Sequence, residues 1–175
     1  MAEIRLRGFT LFEFAVVILA ISILSGLLLI RVLPMIGQAE HVAFIYTERQ
    51  LKSALLLEAA ERIARGDSRS LPALAGQNPI DLLLEPPVNY VGPLQGADLA
   101  SLPRRSWAFD PVSGHLVYRP GRQARFDSLA GPGDRIEFRV QFAYQDRDGD
   151  GAYSAVTDNF DGMRLEPVYP FAWTR

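Results

Sequence analysis

Five aspartates lie close together near the carboxyl end of this 175-residue chain. Asp146, Asp148 and Asp150 alternate with other residues, and Gly151 follows them directly. Carboxylate oxygens at alternate positions, followed by a glycine that permits a sharp turn, match the opening D-x-D-x-D-G of a calcium-binding loop. The pattern therefore predicts a calcium site.

Calcium takes about six to eight oxygen ligands, so these three side chains are too few. We expect the Ala152 carbonyl to be a fourth ligand, and Asp158 and Asp161 to complete the site. The site is not an EF-hand, because the twelfth position counted from Asp146 is Thr157 instead of glutamate. The alternative is a solvated turn without metal, since Asp-Gly pairs favour tight hairpin turns. Repulsion among five aspartates within 16 residues favours a bound cation.

A single acidic residue, Glu13, lies near the start of an apolar segment. From Phe14 to Ile30 the chain has 17 residues without a charge. Counted from Phe9, the segment has 22 residues, which as a helix span about 33 Å and can cross a hydrocarbon core of about 30 Å. A charged group deep in lipid costs about 2.5–3.5 kcal/mol on insertion scales, so intramembrane acids are usually paired.

The apolar segment itself contains no cation that can pair with Glu13. Cleavage between Gly8 and Phe9 would create an α-amino group four residues before Glu13. A neighbouring copy could then present this ammonium group to the carboxylate. The alternative is that Glu13 lies at the membrane interface and extends toward the headgroups.

The start of the chain resembles the class III signal of type IV pilins and pseudopilins. In both, a short leader with basic residues ends in glycine, and an apolar helix with an early glutamate follows. The matching residues are Gly8, Phe9, Thr10, Leu11 and Glu13. Phe12 stands where the family usually has isoleucine or leucine. The resemblance extends over the leader and the apolar segment, which is about the first fifth of the chain.

The resemblance implies processing and assembly. A prepilin peptidase would cut after Gly8 on the cytoplasmic side and methylate the new amine of Phe9, and Glu13 would aid subunit docking. Expected partners are this peptidase, other pilin or pseudopilin subunits and the inner-membrane assembly machinery. The expected location is the bacterial inner membrane, crossed once, with the head in the periplasm or on a cell-surface filament. The family often bends this helix at a proline; here Pro34 comes later than usual, and Gly26 is the alternative position.

The implied fold is α+β, the type IV pilin fold, in which a long N-terminal helix packs on a C-terminal antiparallel sheet. The rest of the chain agrees with this order, because an amphipathic stripe (Phe44, Leu51, Leu55, Ala59 and Ile63) continues the helix until Gly66. The predicted segments are a leader (1–8), a transmembrane helix (9–33), its amphipathic continuation (34–66), a variable loop region (67–105) and a sheet head (106–175) that contains the Asp-rich loop 146–161.

Alternating apolar residues and turn signals predict the strands. Ser106–Asp110 and His115–Arg119 should form a hairpin, because proline and glycine occupy the four-residue turn between them. Asp134–Tyr144 is the clearest strand, and Met163–Tyr169 should be an edge strand because it contains Pro167. In the loop region we expect a short helix at residues 78–84 and a short strand at residues 89–91.

Composition excludes several classes of function. The net charge is −2, and the arginines are scattered, so we expect no nucleic-acid partner. We expect no enzyme activity, because nucleophile and phosphate-loop motifs are absent and the two histidines, His41 and His115, are far apart. Trp107, Tyr118 and Trp173 could form an adhesive surface, but strand aromatics usually lie in the core. The lack of cysteine favours a pseudopilin or minor pilin, since many major pilins close their C-terminal region with a disulfide.

We therefore expect a structural subunit of a type IV pilus-like or type II secretion filament. Major pseudopilins of type II secretion resemble this chain in using calcium near the C-terminus. The alternative is a single-pass anchored periplasmic domain that binds calcium or another ligand and does not polymerise.

Overall fold

The computed structural model describes residues 10–122, 124, 126–128, 131 and 133–173, so the expected cleavage site at Gly8 and Phe9 lies outside the described residues. The chain order is a long helix, two 3₁₀ helices, a short strand, a short helix and then six strands. The elements are α1 (Leu11–Ala64), 3₁₀ helices at Ser68–Leu74 and Pro79–Leu82, β1 (Tyr90–Pro93), α2 (Ala97–Ala100), β2 (Ser106–Asp110), β3 (His115–Arg119), β4 (Phe126–Ser128), β5 (Ile136–Gln145), β6 (Asn159–Pro167) and β7 (Phe171–Trp173).

The first half of α1 stands away from the rest of the chain. Its apolar side chains are exposed from Leu11 to Val32, and its most apolar window has a mean hydropathy of 2.7. Among the described residues, α1 is the one helix long and apolar enough to cross a membrane. The helix continues through Pro34 and Gly37 without ending there.

The second half of α1 packs against the sheet through one face. The buried residues of this face recur every three or four positions, which is the helical period: Glu40, Phe44, Thr47, Leu51, Leu55 and Ala59. The predicted stripe is therefore confirmed except at Ile63, which is 44% exposed. Leu71 and Leu74 of the first 3₁₀ helix are buried in the core near this end instead.

The end of α1 has the glycine that the sequence predicts. Gly66 has φ = 77°, a left-handed conformation that favours glycine, and its N–H donates to the Ile63 carbonyl at 2.9 Å. The Asp67 N–H reaches back to the Arg62 carbonyl at 2.9 Å. These two bonds satisfy carbonyls that the helix would otherwise leave unpaired, so the chain leaves the helix here.

A five-stranded sheet in the order β1-β2-β3-β5-β6 covers the buried face of α1. The prediction of a purely antiparallel sheet is wrong at one edge, because β1 runs parallel to β2. A parallel pair needs a crossover connection, and residues 94–105, which include α2, supply it. The fold is α+β, with a mixed sheet.

Most predicted strands are confirmed with small changes at their ends. The hairpin of β2 and β3 has the predicted bounds, and Gly114 in its turn has φ = 70°. In β5, the predicted inward residues Ile136, Phe138 and Val140 are buried. β6 is an edge strand and ends at Pro167, as expected from a residue that cannot donate to a sheet ladder. The expected short helix is a 3₁₀ helix, and the Asn78 side chain caps it.

The carboxyl end is held by a second, two-stranded sheet that the sequence analysis missed. β7 pairs antiparallel with β4 and places Trp173 opposite Phe126. The Trp173 ring stacks on the His41 imidazole of α1, with ring centroids 4.8 Å apart. These contacts attach the end of the chain to α1 without a disulfide.

The large aromatic side chains form the core between α1 and the sheet. Phe44 stacks on Trp107, with centroids 5.4 Å apart, and also contacts Tyr118 and Trp173. Trp107 and Tyr118 are buried, and Trp173 packs against the same cluster. The expectation that these aromatics belong to the core is confirmed.

Candidate functional site

The amino-terminal turn of α1 holds Glu13 in a capping box. Its carboxylate accepts hydrogen bonds from the backbone N–H and the hydroxyl of Thr10, both at 2.9 Å, and its own N–H donates to Thr10 Oγ1 at 3.2 Å. A helix starts with unpaired N–H groups, and this reciprocal arrangement gives partners to two backbone N–H groups, those of Thr10 and Glu13. The sequence T-L-F-E therefore does two things: it starts the helix, and it fixes a carboxylate at the entrance of an exposed apolar segment.

The Asp-rich loop connects β5 to β6 and brings three of its carboxylates together. Oxygens of Asp146, Asp148 and Asp158 lie within 4.8 Å of one another. Calcium–oxygen bonds are about 2.3–2.6 Å long, so two oxygens on opposite sides of one ion are about 5 Å apart. The three side chains thus have a spacing that one calcium ion can bridge, and carbonyl or water oxygens would have to supply the other ligands.

Backbone N–H groups shape this loop. Asp146 accepts from Gly149 at 2.7 Å and from Gly151 at 2.9 Å, and both glycines have φ = 76°. Asp158 is 8% exposed and accepts from the N–H groups of Arg147 at 3.0 Å and Ser154 at 2.7 Å. A carboxylate oxygen can accept an N–H and bind a cation at the same time, so these bonds order the carboxylates without excluding a metal.

The other predicted calcium ligands lie outside this trio. Asp150 accepts a hydrogen bond from the N–H of Ala152 at 2.8 Å. Asp161 lies where the pairing of β5 with β6 shifts register, and it forms an ion pair with Arg164 at 3.0 Å. The trio combines two early residues of the loop with Asp158, which the D-x-D-x-D-G pattern does not contain.

Electrostatics in the loop depend on the N–H groups and on the aspartates together. The N–H groups of Gly151 and Gly149 lower the pKa of Asp146, because they stabilise the charged carboxylate. Burial raises the pKa of the Tyr144 hydroxyl, and the negative charge of Asp146 raises it further. The first shift keeps the Asp146 carboxylate ionised at neutral pH, and the second keeps the Tyr144 hydroxyl neutral.

The Asp-rich loop lies at the end of the head where α1 finishes. Asp158 and Tyr153 line the same shallow pocket as Ile63, in the last turn of α1, and Ser68 just beyond it. Ile63 follows Glu40 by 23 positions, which correspond to about 35 Å along a helix. The loop is therefore far from the point where the apolar half of α1 leaves the head.

A buried carboxylate on α1 is the main feature that the sequence analysis missed. Glu40 is 7% exposed and accepts hydrogen bonds from the Tyr118 hydroxyl at 3.0 Å, from the Gly121 N–H at 2.6 Å and from Arg105 Nε at 3.1 Å. Arg105 has φ = 63°, which is rare for a residue with a side chain. We call Glu40, Arg105, Tyr118 and Gly121 the Glu40 cluster.

The Glu40 cluster joins α1 to the sheet at the first buried position among the helix residues whose burial is described. Burial raises the pKa of the Tyr118 hydroxyl, and the negative charge of Glu40 raises it further. The signal for this cluster is in the sequence, since Glu40 lies one turn before Phe44 on the apolar stripe. An acidic residue on a core-facing stripe indicates a buried polar contact, because a buried charge needs partners.

Comparison of the chain with protein-family models, with curated proteins and with solved structures found no match in any of the three.

Proposed function

We propose that this chain is a pilin-like structural subunit, either a pilin or a pseudopilin, of a type IV pilus-like or type II secretion filament. In this proposal a prepilin peptidase cuts after Gly8 and methylates Phe9. The apolar half of α1 then anchors the subunit in the bacterial inner membrane, with the head outside the cytoplasm. Other subunits and the inner-membrane assembly machinery are its partners, and polymerisation buries the apolar helices against each other.

The observation that most strongly supports this proposal is that the two halves of α1 have different surroundings. The half from Glu40 onward is packed on the head, whereas the half that starts at Glu13 exposes its apolar side chains on all sides. Such a surface needs lipid or other apolar helices around it. The carboxylate of Glu13 at its start needs a cationic partner in lipid, and the amine released by cleavage after Gly8 is chemically suited to be one.

The mature amino terminus tests this proposal directly. The protein should be purified from a host that expresses a prepilin peptidase, and its amino-terminal peptide should be analysed by mass spectrometry. We expect a peptide that starts at Phe9 and carries one methyl group. A Gly8→Ala variant is the matched control and should retain Met1 or Ala2. If the native protein also retains the leader, the chain is a membrane-anchored domain and not a pilin-like subunit.

We also propose that the Asp-rich loop binds calcium. The convergence of Asp146, Asp148 and Asp158 within 4.8 Å supports this, together with the burial of Asp158. A bound ion would neutralise the repulsion among these carboxylates and attach the β5–β6 connection to the distal end of the head. Calcium binding is equally compatible with the alternative function, an anchored periplasmic domain that does not polymerise, so it does not distinguish between the two.

A further inference from the structure

Two exposed arginines adjoin the Glu40 cluster at the end of the head where the apolar half of α1 emerges. Arg104 precedes Arg105, and its Nη1 donates to the Pro120 carbonyl at 3.1 Å. Arg122 follows Gly121, whose N–H is bonded to Glu40. Arg104 and Arg122 are both exposed. We call these two residues the Arg rim.

The Arg rim lies within reach of the membrane surface that α1 defines. Arg31 is the first charged residue after the apolar segment, and Glu40 follows nine residues later. With Arg31 at the edge of the hydrocarbon core, Glu40 lies about 13 Å beyond that edge along the helix. The headgroup layer occupies about 5–7 Å of this distance. An extended arginine side chain covers most of the remaining distance, and the electrostatic attraction of a charged surface extends over a Debye length of about 8 Å.

The local charge balance at this end of the head is positive. Glu40 is buried and bonded to Arg105, so this pair presents no net negative charge to solvent. Among the described residues, the Arg122 side chain makes no hydrogen bond or ion pair, so its charge is available to a ligand. One exposed acid, Asp127, lies on β4 beside the Trp173 strand. The acidic trio of the loop, which consists of Asp146, Asp148 and Asp158, lies at the opposite end of the head, about 35 Å away along α1.

We propose that the Arg rim binds the headgroups of anionic phospholipids and holds the head down on the membrane from which α1 emerges. The inference rests on membrane anchoring by α1, which is part of the proposed function, and does not depend on assembly into a filament. Lipid is the better occupant than the acidic loop of a second copy, because the Arg rim adjoins the residues that bond Glu40, at the end of the head from which the apolar half of α1 emerges. Each arginine near an anionic surface favours the docked head about fivefold.

Energy transfer within nanodiscs that hold one copy of the full chain tests the proposal. The donors are the two tryptophans, which both pack on Phe44 near this end of the head, and the acceptor is a dansyl group on lipid headgroups. Discs of phosphatidylcholine alone are compared with discs that contain about 30% phosphatidylglycerol. We expect higher transfer with the anionic lipid and loss of the increase at about 0.5 M salt, where the Debye length is about 4 Å.

Two double variants distinguish an effect of the Arg rim from an effect of the net charge of the protein. Arg104→Gln with Arg122→Gln should reduce the ratio of docked to undocked heads about 25-fold in anionic discs. Arg69→Gln with Arg139→Gln removes the same charge from two other exposed positions and should leave the transfer unchanged. The single variant Arg122→Gln should reduce the ratio of docked to undocked heads about fivefold in anionic discs, and it keeps the bond between Arg104 and Pro120.

Three outcomes would overturn the proposal. The first is equal transfer in the two kinds of disc, and the second is an equal loss in both double variants. The third is an increase that appears only when a disc holds two copies, which would assign the Arg rim to the acidic loop of a neighbour. Failure of the chain to enter the discs would contradict membrane anchoring itself. Entry into the discs with energy transfer that does not depend on lipid charge would contradict only the binding of lipid by the Arg rim.

Discussion

The Glu40 carboxylate of α1 accepts a hydrogen bond from the Tyr118 hydroxyl of β3, 3.0 Å away, although 78 residues separate them in the chain. Among the residues of α1 whose burial is described, Glu40 is the first buried one. From Leu11 to Val32 the helix is exposed, Ile36 and Gly37 are half-buried, and beyond Glu40 one face packs on the sheet. The contact therefore lies where the packed half of the helix begins.

Removal of this contact should destabilise the head more than removal of an exposed ion pair. We expect Glu40→Gln to lower the free energy of unfolding by about 1–3 kcal/mol, because both buried carboxylate oxygens accept hydrogen bonds and an amide NH₂ group cannot accept one. The matched control is Glu48→Gln, which breaks an exposed pair with Lys52 worth at most about 1 kcal/mol. Denaturant unfolding of the full chain in detergent measures both variants. Equal losses in the two variants would contradict this role of Glu40.

Tyr118 should make the protein sensitive to alkaline pH. Its pKa in the folded state is raised above the ordinary value of about 10, so above that pH the unfolded chain loses this proton more readily than the folded one. The contribution of Tyr118 to stability is therefore complete below pH about 10 and declines as pH rises further. In unfolding measured from pH 8 to 11, Tyr118→Phe should show a shallower decline than the native chain. A parallel decline in both chains would show that another group is responsible.

Gly121 should not tolerate a side chain. A Cβ atom there would lie 2.5 Å from Glu40 Oε2 and 2.7 Å from Arg105 Nε, so the Glu40 cluster would have to move. We expect Gly121→Ala to cost about 1–3 kcal/mol. Gly133→Ala is the control, because a Cβ at Gly133 meets no atom of the described residues within 4 Å. Thermal unfolding compares the two, and a Gly121→Ala chain as stable as Gly133→Ala would be evidence against the tight approach of the backbone to Glu40.

Local sequence patterns carry information about neighbouring residues only. They therefore predicted the hairpin of β2 and β3 but did not predict the Glu40 cluster. The bounds of β2 and β3 follow from residues within a few positions of each other, namely alternating side chains and the turn that ends in Gly114. The partners of Glu40 come from β3 and from two separate loops, and one of them, Arg105, has a backbone conformation that residues with side chains rarely adopt. A period indicates that a residue is buried, but it does not identify distant partners.

The same limit applies to the Asp-rich loop and to the edges of the sheet. The alternation of Asp146 and Asp148 is visible in the sequence, but their approach to Asp158 depends on how the chain folds back between β5 and β6. The pairing of β7 with β4 and the parallel pairing of β1 also depend on distant segments. Short strands of three or four residues carry too little alternation to predict a partner.

Calcium should stabilise the head through the acidic trio. If the loop binds calcium, a concentration of about 100 times the dissociation constant adds about 2.7 kcal/mol, which is a shift of several degrees in Tm for a head of this size. Asp146→Asn should reduce this shift, because it removes one charge from the trio. Asp161→Asn is the control, since its carboxylate is paired with Arg164 outside the trio. An unchanged Tm of the native chain at millimolar calcium, or a full shift in Asp146→Asn, would refute the site.

Glu13 should be needed for assembly but not for insertion. Glu13→Ala removes the carboxylate that caps α1 and that the proposed assembly pairs with the methylated amine of a neighbouring Phe9. Insertion should persist, because the substitution leaves the 22 residues from Phe9 to Ile30 without a charge. In a strain that assembles the filament, we expect at least tenfold less of this variant in sheared filaments and equal amounts in the membrane fraction, which corresponds to a loss of about 1.4 kcal/mol or more per subunit. Ser22→Ala is the control on the same helix, since the Ser22 hydroxyl bonds only to the Ile18 carbonyl of its own turn. Equal incorporation of Glu13→Ala and Ser22→Ala would show that assembly does not depend on Glu13, whereas absence of the native chain from the filaments would favour the anchored domain.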